Sequence, residues 1–143
     1  MANLVIERVI AAPPETVFAW LTEPTNLTAA PLAVRARWAA GTDGPGVGAV
    51  REVFAVGLWA REEIIAFDPP HRYDYRITKS IPAIDHQDGS VTLTPVDGGT
   101  HVRWVSEYTH PASGGGAVME ALTSRLLPGS FEAILDACTE SLT

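Results

Sequence analysis

Apolar and polar positions along the chain change period in a way that sets out an order of elements. Residues 3–10 (Asn-Leu-Val-Ile-Glu-Arg-Val-Ile) are β-branched and stop at Ala11-Ala12-Pro13-Pro14, which predicts a strand running into a breaker. Pro13 and Pro14 suit the first turn of a helix, where a missing N–H costs little, and Glu15 sits near the positive helix end. Val17, Phe18 and Leu21 give that helix one apolar face, Pro24 ends it, and a second short helix is expected around Thr25–Ala30. From Leu32 the period shortens towards two. Strands are expected at Leu32–Ala39, Gly48–Val56, Leu58–Phe67, Arg72–Lys79, Ala83–Pro95 and Thr100–Thr109. Gly57 marks a tight hairpin, Asp68-Pro69-Pro70 a stop, Asp88-Gly89 a bulge or bend, and Asp97-Gly98-Gly99 another hairpin. Connections this short require antiparallel pairing, in a sheet of seven strands counting the first.

Ala117–Leu142 is rich in helix formers and follows His110-Pro111-Ala112-Ser113 and the glycines Gly114-Gly115-Gly116, read as a flexible hinge. Val118, Met119, Leu122 and Leu126 fall on one side of this helix. Phe131, Ile134, Leu135, Cys138 and Leu142 cluster at a different phase. The change falls at Pro128-Gly129, which predicts a kink or break there, with Ser130 recapping the second half. The layout is α+β: a curved antiparallel sheet with one apolar face, and a long C-terminal helix as the only large element able to cover it. A strongly curved sheet closing around one helix leaves a cavity between them, and apolar concavities with a few polar groups are where small molecules bind.

Composition narrows this picture without adding an activity. The 143 residues are 46% hydrophobic and 19% charged, which suits one globular domain spanning 1–143. The net charge of −7 speaks against nucleic acid as a partner, since polyanion binders gather Lys and Arg. No apolar run reaches the roughly 18 residues of a membrane span, and no signal-peptide pattern opens the chain. The lone Cys138 has no partner for an internal disulfide, so the cytoplasm is the expected compartment.

Three segments carry a family resemblance. Ile6-Glu7-Arg8-Val9-Ile10-Ala11-Ala12-Pro13-Pro14-Glu15-Thr16-Val17-Phe18 resembles the opening signature of the SRPBCC superfamily, the START-related, birch-pollen-allergen-like helix-grip proteins. Phe67-Asp68-Pro69-Pro70-His71-Arg72-Tyr73-Asp74-Tyr75 is similar to that family's strand–turn–strand segment, and Gly98-Gly99-Thr100-His101-Val102-Arg103-Trp104 to its entry into the last strand. The likeness is closest to the bacterial, single-domain polyketide cyclase/dehydrase type. It implies a helix-grip fold and a hydrophobic ligand. Family members include lipid carriers, aromatase/cyclases, hormone receptors and toxin-like proteins, so chemistry must come from the cavity itself.

The residues expected to line that cavity are Trp38, Trp59, Tyr73, Tyr75, Trp104 and Tyr108 from the sheet and Leu122 and Leu126 from the helix. Trp and Tyr join a large apolar area to one hydrogen-bonding tip, which suits a flat, partly oxygenated ligand; the competing reading is that they only fill a core. Arg61 and His86 are the candidate catalytic groups: a buried guanidinium to polarise an oxygen and an imidazole to move a proton. If Leu58, Ala60, Glu62, Ile64 and Ala66 face inward instead of Trp59, Arg61 and Glu63, Arg61 is a solvated surface residue. Val50 and Phe54 suggest that Arg51 points outward. His71, His86, His101 and His110 fall on separate elements without metal-ligand spacing, so no metal is expected. No dinucleotide loop or nucleophile elbow appears, and no cofactor is expected; Cys138 reads as core.

Three functions follow. The first is a module that binds a small hydrophobic, cyclic or polyketide-like ligand. The second is a cofactor-independent aromatase/cyclase that folds a poly-carbonyl chain by positioning it. The third is a regulatory module docking a protein at the sheet edges or near Leu126-Leu127-Pro128.

Overall fold

The computed structural model describes residues 2–81, 85–109 and 115–143, apart from the side chains of residues 2, 85–88, 109, 119, 120, 123 and 124. The start of the predicted strand at Ala83 and the His110–Gly114 part of the connection lie outside the described residues.

The β-branched opening forms β1 (Ala2–Ile10), and the double proline then starts α1 (Pro14–Leu21) with Pro14 in its first turn. Thr22 closes α1 by donating its hydroxyl to the Phe18 carbonyl at 2.9 Å. A short 3-10 helix, Pro24–Ala29, follows. The period-two region becomes β2 (Ala33–Trp38), β3 (Val50–Ala55), β4 (Leu58–Asp68), β5 (Arg72–Ile81), β6 (Asp85–Val96) and β7 (Gly99–Thr109). All seven strands join in one antiparallel sheet of order β1-β7-β6-β5-β4-β3-β2, so each consecutive pair from β2 to β7 is a hairpin and β1 closes against β7. Gly57 turns β3 into β4 with φ +79°, a left-handed conformation that glycine reaches without penalty. At the far end of the sheet, the Thr100 hydroxyl donates to the Ala12 carbonyl at 2.7 Å and ties the start of β7 to the exit from β1.

The C-terminal segment is one continuous helix, α2 (Gly116–Leu142), with Pro128 inside it. Of the kink or break expected at Pro128-Gly129, the break is absent, since the helix runs on through both residues. Ser130 does not recap a second half; its hydroxyl donates back to the Leu126 carbonyl at 3.3 Å, within the running helix. The two apolar clusters of α2 behave differently. Ile134, Leu135 and Cys138 are buried with Val17, Phe18, Tyr73, Val91, Leu93 and Val102 in the main core, whereas Val118, Leu122 and Leu126 are exposed. The curled sheet gripping α2, with the short helices after β1, is the α+β layout that the order of elements predicts and the helix-grip fold that the resemblance implies. Among the described residues no helix is long and apolar enough to cross a membrane.

Candidate functional site

Next to the packed core, the concave face of the sheet and α2 line a partly open cavity of about 150 Å³. Its origin is a mismatch of side-chain size. β2, β3 and β4 offer Ala33, Ala55 and Ala60 to the interior, while β5 and β7 offer Tyr75, Trp104 and Tyr108. Small residues opposite large ones leave space that α2 bridges with Leu127, Ser130, Phe131 and Ile134. Phe131 stacks flat on Trp104, with ring centroids 4.1 Å apart and planes inclined by 11°. Tyr75 lies across β6 at Gly89, its register partner. A Cβ there would sit 2.4 Å from the Tyr75 ring, so only glycine leaves room for this ring position. The Trp104 indole N–H then donates to the Tyr75 hydroxyl at 2.9 Å, fixing two aromatic walls against each other.

One side of the cavity is ionic. Arg51 on β3 is buried, with 1% of its surface exposed, and lies directly across from Glu62 on β4 in the strand register. Its Nε donates to Glu62 Oε1 at 2.7 Å. The guanidinium carbon stands 5.0 Å from the Tyr75 ring centre and 5.8 Å from that of Tyr73, within cation–π reach of both rings. Nη1 of Arg51 is buried with no hydrogen-bond partner among the described residues. Burial, the largest influence, disfavours the charged guanidinium, but Glu62 and the two tyrosines outweigh it and raise the pKa above its ordinary value. Arg51 is therefore a permanent cation. Burial also pushes the hydroxyls of Tyr73 and Tyr75 above their ordinary value, so both stay protonated at neutral pH.

The structure gathers some of the expected residues and disperses others. Tyr75, Trp104 and Tyr108 line the cavity. Tyr73 is buried beneath it, edge-on to Phe18 with ring centres 5.9 Å apart, in the core and not in the cavity wall. Trp38 is half-buried against the core beside Arg51 but outside the wall. Trp59 faces the other side of the sheet, paired with Phe54 at 6.5 Å between ring centres. Leu122 and Leu126 are exposed on α2, and Leu127 reaches the cavity instead. Arg61 is exposed, because the inward phase of β4 is Leu58, Ala60, Glu62 and Ile64. His86 occupies β6 opposite Tyr108 in the register, and its side chain lies outside the described residues.

The reading of Arg51 as outward is corrected: it is the cation of the cavity, and Glu62 is its counter-ion. Arg51 belongs to the short six-residue β3, whose two faces carry nearly equal apolar content, Val50 and Phe54 against Val53 and Ala55. A signal for the true phase was available. A two-residue Val56-Gly57 turn places Arg51 opposite Glu62, and opposite charges at a cross-strand pair share a face. Cys138 is buried and its thiol is pushed up to about 12 by that burial, which makes it a core residue and no nucleophile. Among the described residues no group of three or more His, Cys, Asp or Glu side chains could hold a metal ion.

A sheet curled around one helix over a small aromatic cavity defines the helix-grip class of ligand-cavity proteins. The family model for polyketide cyclase/dehydrase and lipid transport matches residues 1–143, and the chain belongs to that family. Its fold is similar to that of TTHA0849 from Thermus thermophilus, with TM-score 0.78 and 22% identity over 99% of this chain and 97% of that one. Ara h 8.0201 shares the fold at TM-score 0.68 and 20% identity, covering 96% and 97% of the two chains. Aha1 from Colwellia psychrerythraea, solved as a dimer, does so at TM-score 0.67 and 18% identity, covering 99% and 96%. No curated protein matches the chain.

Proposed function

We propose that this protein binds a small hydrophobic, ring-containing ligand in the cavity between the sheet and α2. The observation that carries this reading is the cavity itself: about 150 Å³, walled by Tyr75, Trp104, Tyr108 and Phe131, with one buried ion pair at its side. Such a mixture of apolar wall and few polar groups is the usual make-up of a small-molecule site. A dry apolar cavity of about 150 Å³ accommodates a benzene ring. With Arg61 on the outer face, the cation that a positional cyclase would use is Arg51 and not Arg61. Membership in a family described by both cyclase/dehydrase and lipid transport supports a hydrophobic ligand without choosing between turnover and carriage.

The test is titration of the purified protein with ring-sized hydrophobic fluorophores, read by emission and by quenching of Trp104, together with solvent extraction and mass spectrometry against a mock purification. Saturable binding that is lost on filling the cavity by Ala60→Leu is the expected result. Binding unaffected by Ala60→Leu, or none at all, overturns the reading.

A further inference from the structure

We propose that the cavity selects a neutral ring compound bearing a hydroxyl group, and that this hydroxyl donates its hydrogen to Oε2 of Glu62. The proposal rests on the reading of the cavity as a ligand site and adds the chemistry of its occupant.

The ion pair meets the cavity through its carboxylate. The Arg51 side chain keeps 2% of its surface exposed and the Glu62 side chain 12%, although both belong to the wall. Glu62 stands on the inward phase of β4 between Ala60 and Ile64, and Ala60 lines the cavity beside it. Its Oε1 accepts from Arg51 Nε at 2.7 Å, which holds the carboxylate in one orientation. Its Oε2 accepts no hydrogen bond from any described residue and retains accessible surface.

The other polar groups of the wall point the same way. The Trp104 N–H is committed to the Tyr75 hydroxyl, and the Ser130 hydroxyl to the Leu126 carbonyl. With Arg51 turned to Glu62, these donors are spent inside the protein, and a charged acceptor is left for the ligand. A ring filling the cavity strips water from Oε2, and burying a carboxylate oxygen without a donor is costly. A hydroxyl on that ring replaces the water with a charge-assisted hydrogen bond, whereas an ether or a hydrocarbon leaves the oxygen unpaired. Charge favours a neutral donor. Arg51 already balances Glu62, so an ammonium would crowd two cations on one carboxylate, and an anion would face Glu62 directly.

Three near-isosteric probes separate the possibilities: p-xylene, anisole and p-cresol, each titrated into the purified protein by calorimetry at neutral pH. Anisole and p-cresol are isomers, one with its oxygen capped and the other with a free hydroxyl. The expected result is that p-cresol binds about tenfold more tightly than either, the worth of one hydrogen bond to a charged group net of desolvation. Equal binding of p-cresol and anisole, or tighter binding of anisole or p-xylene, overturns the role of Oε2 while leaving the cavity reading intact. No binding by any probe removes the cavity reading and this proposal with it. Glu62→Gln keeps an oxygen for Arg51 and turns an amide NH₂ towards the ligand, so a donor replaces the acceptor. In that variant, checked for folding by circular dichroism, the ratio of p-cresol to anisole affinity should fall about tenfold or more. If it does not fold, Arg51→Met with Glu62→Leu takes its place, and p-cresol should bind there no more tightly than anisole. A ratio unchanged in whichever variant folds overturns the assignment to Glu62, and if neither folds, the three-probe comparison on the unmodified protein decides.

Discussion

The two ends of α2 face the same sheet with opposite results. Towards the C-terminus, Ile134, Leu135 and Cys138 are 4%, 0% and 0% exposed, packed with α1 and with the inward residues of β5, β6 and β7. Towards the N-terminus, Val118, Leu122 and Leu126 are 82%, 51% and 49% exposed, and between the two ends the helix bridges open space with Leu127 and Phe131. The difference comes from what the sheet supplies. Against the packed end stand Tyr73, Val91, Leu93 and Val102; against the middle of the helix, across the cavity, stand Ala33, Ala55 and Ala60 and a buried ion pair beside Val53, Leu58 and Ile77. Burial of apolar surface holds the fold at one end, while the other is left short of packing where a ligand could supply it. The Trp104–Phe131 stack marks the border between the two.

The strongest way to break this comparison is at the ion pair. Arg51→Met leaves Glu62 in a buried site without its counter-ion, and the expected loss is about 3–5 kcal/mol of unfolding free energy in urea. The double change Arg51→Met with Glu62→Leu removes both charges and should recover the loss, or exceed the starting stability, because apolar replacement of a buried pair is often neutral or stabilising. A double variant as unstable as the single one would mean that the pair holds the fold and not only the site.

The two ends of α2 allow a direct contrast at constant chemistry. Leu135→Ala should cost about 2–5 kcal/mol, the usual range for a large-to-small change in a packed core. Leu122→Ala, one exposed leucine on the same helix, should stay within about 0.5 kcal/mol. Similar costs for both would show that the N-terminal half of α2 is covered in solution.

What the sequence disclosed and what it hid divide along the same physical line. Turn chemistry is local, so the breaker at Pro13-Pro14, the hairpins at Gly57 and Asp97-Gly98, and hence the order of strands were legible. Strand phase is not local, because one irregular residue reverses it. Trp59 and Phe67 have the same parity on β4, yet Trp59 pairs with Phe54 on the outer face while Phe67 packs on Phe18 inside, ring centres 5.3 Å apart. Register shifts between Arg61 and Glu62 and between Ile64 and Ala66 separate the two. The aromatic wall of Tyr75, Trp104 and Tyr108 was legible because β5 and β7 alternate cleanly, with large rings on one side. Arg51 was missed because a buried cation looks like a surface one until its partner strand is aligned. Helical period likewise grouped Leu122 with Leu126 correctly but had no means of showing that the sheet offers that face nothing to pack on.

The smallest effect, confined to alkaline solution, sharpens the comparison at the seam where Tyr73 belongs to the packed end and Tyr75 to the hollow one. Burial is the leading cause that raises both hydroxyls above their ordinary value near 10.0, with Arg51 opposing it at both. A raised pKa means that the folded protein keeps protons the unfolded chain releases. The stability they contribute is therefore complete below about pH 10 and is lost as pH rises through the folded values. Thermal melts should show no pH dependence from these groups at neutral pH and a falling Tm above about pH 10, and phenolate absorbance from the two residues should appear only as the protein unfolds. Tyr75→Phe should lower Tm at neutral pH, since the Trp104 N–H loses its acceptor, yet flatten the alkaline slope. An unchanged slope would show that Tyr75 titrates freely through an open cavity. A ligand seated against its ring should then restore the steep dependence, while Tyr73, held against Phe18, should be indifferent to the same ligand.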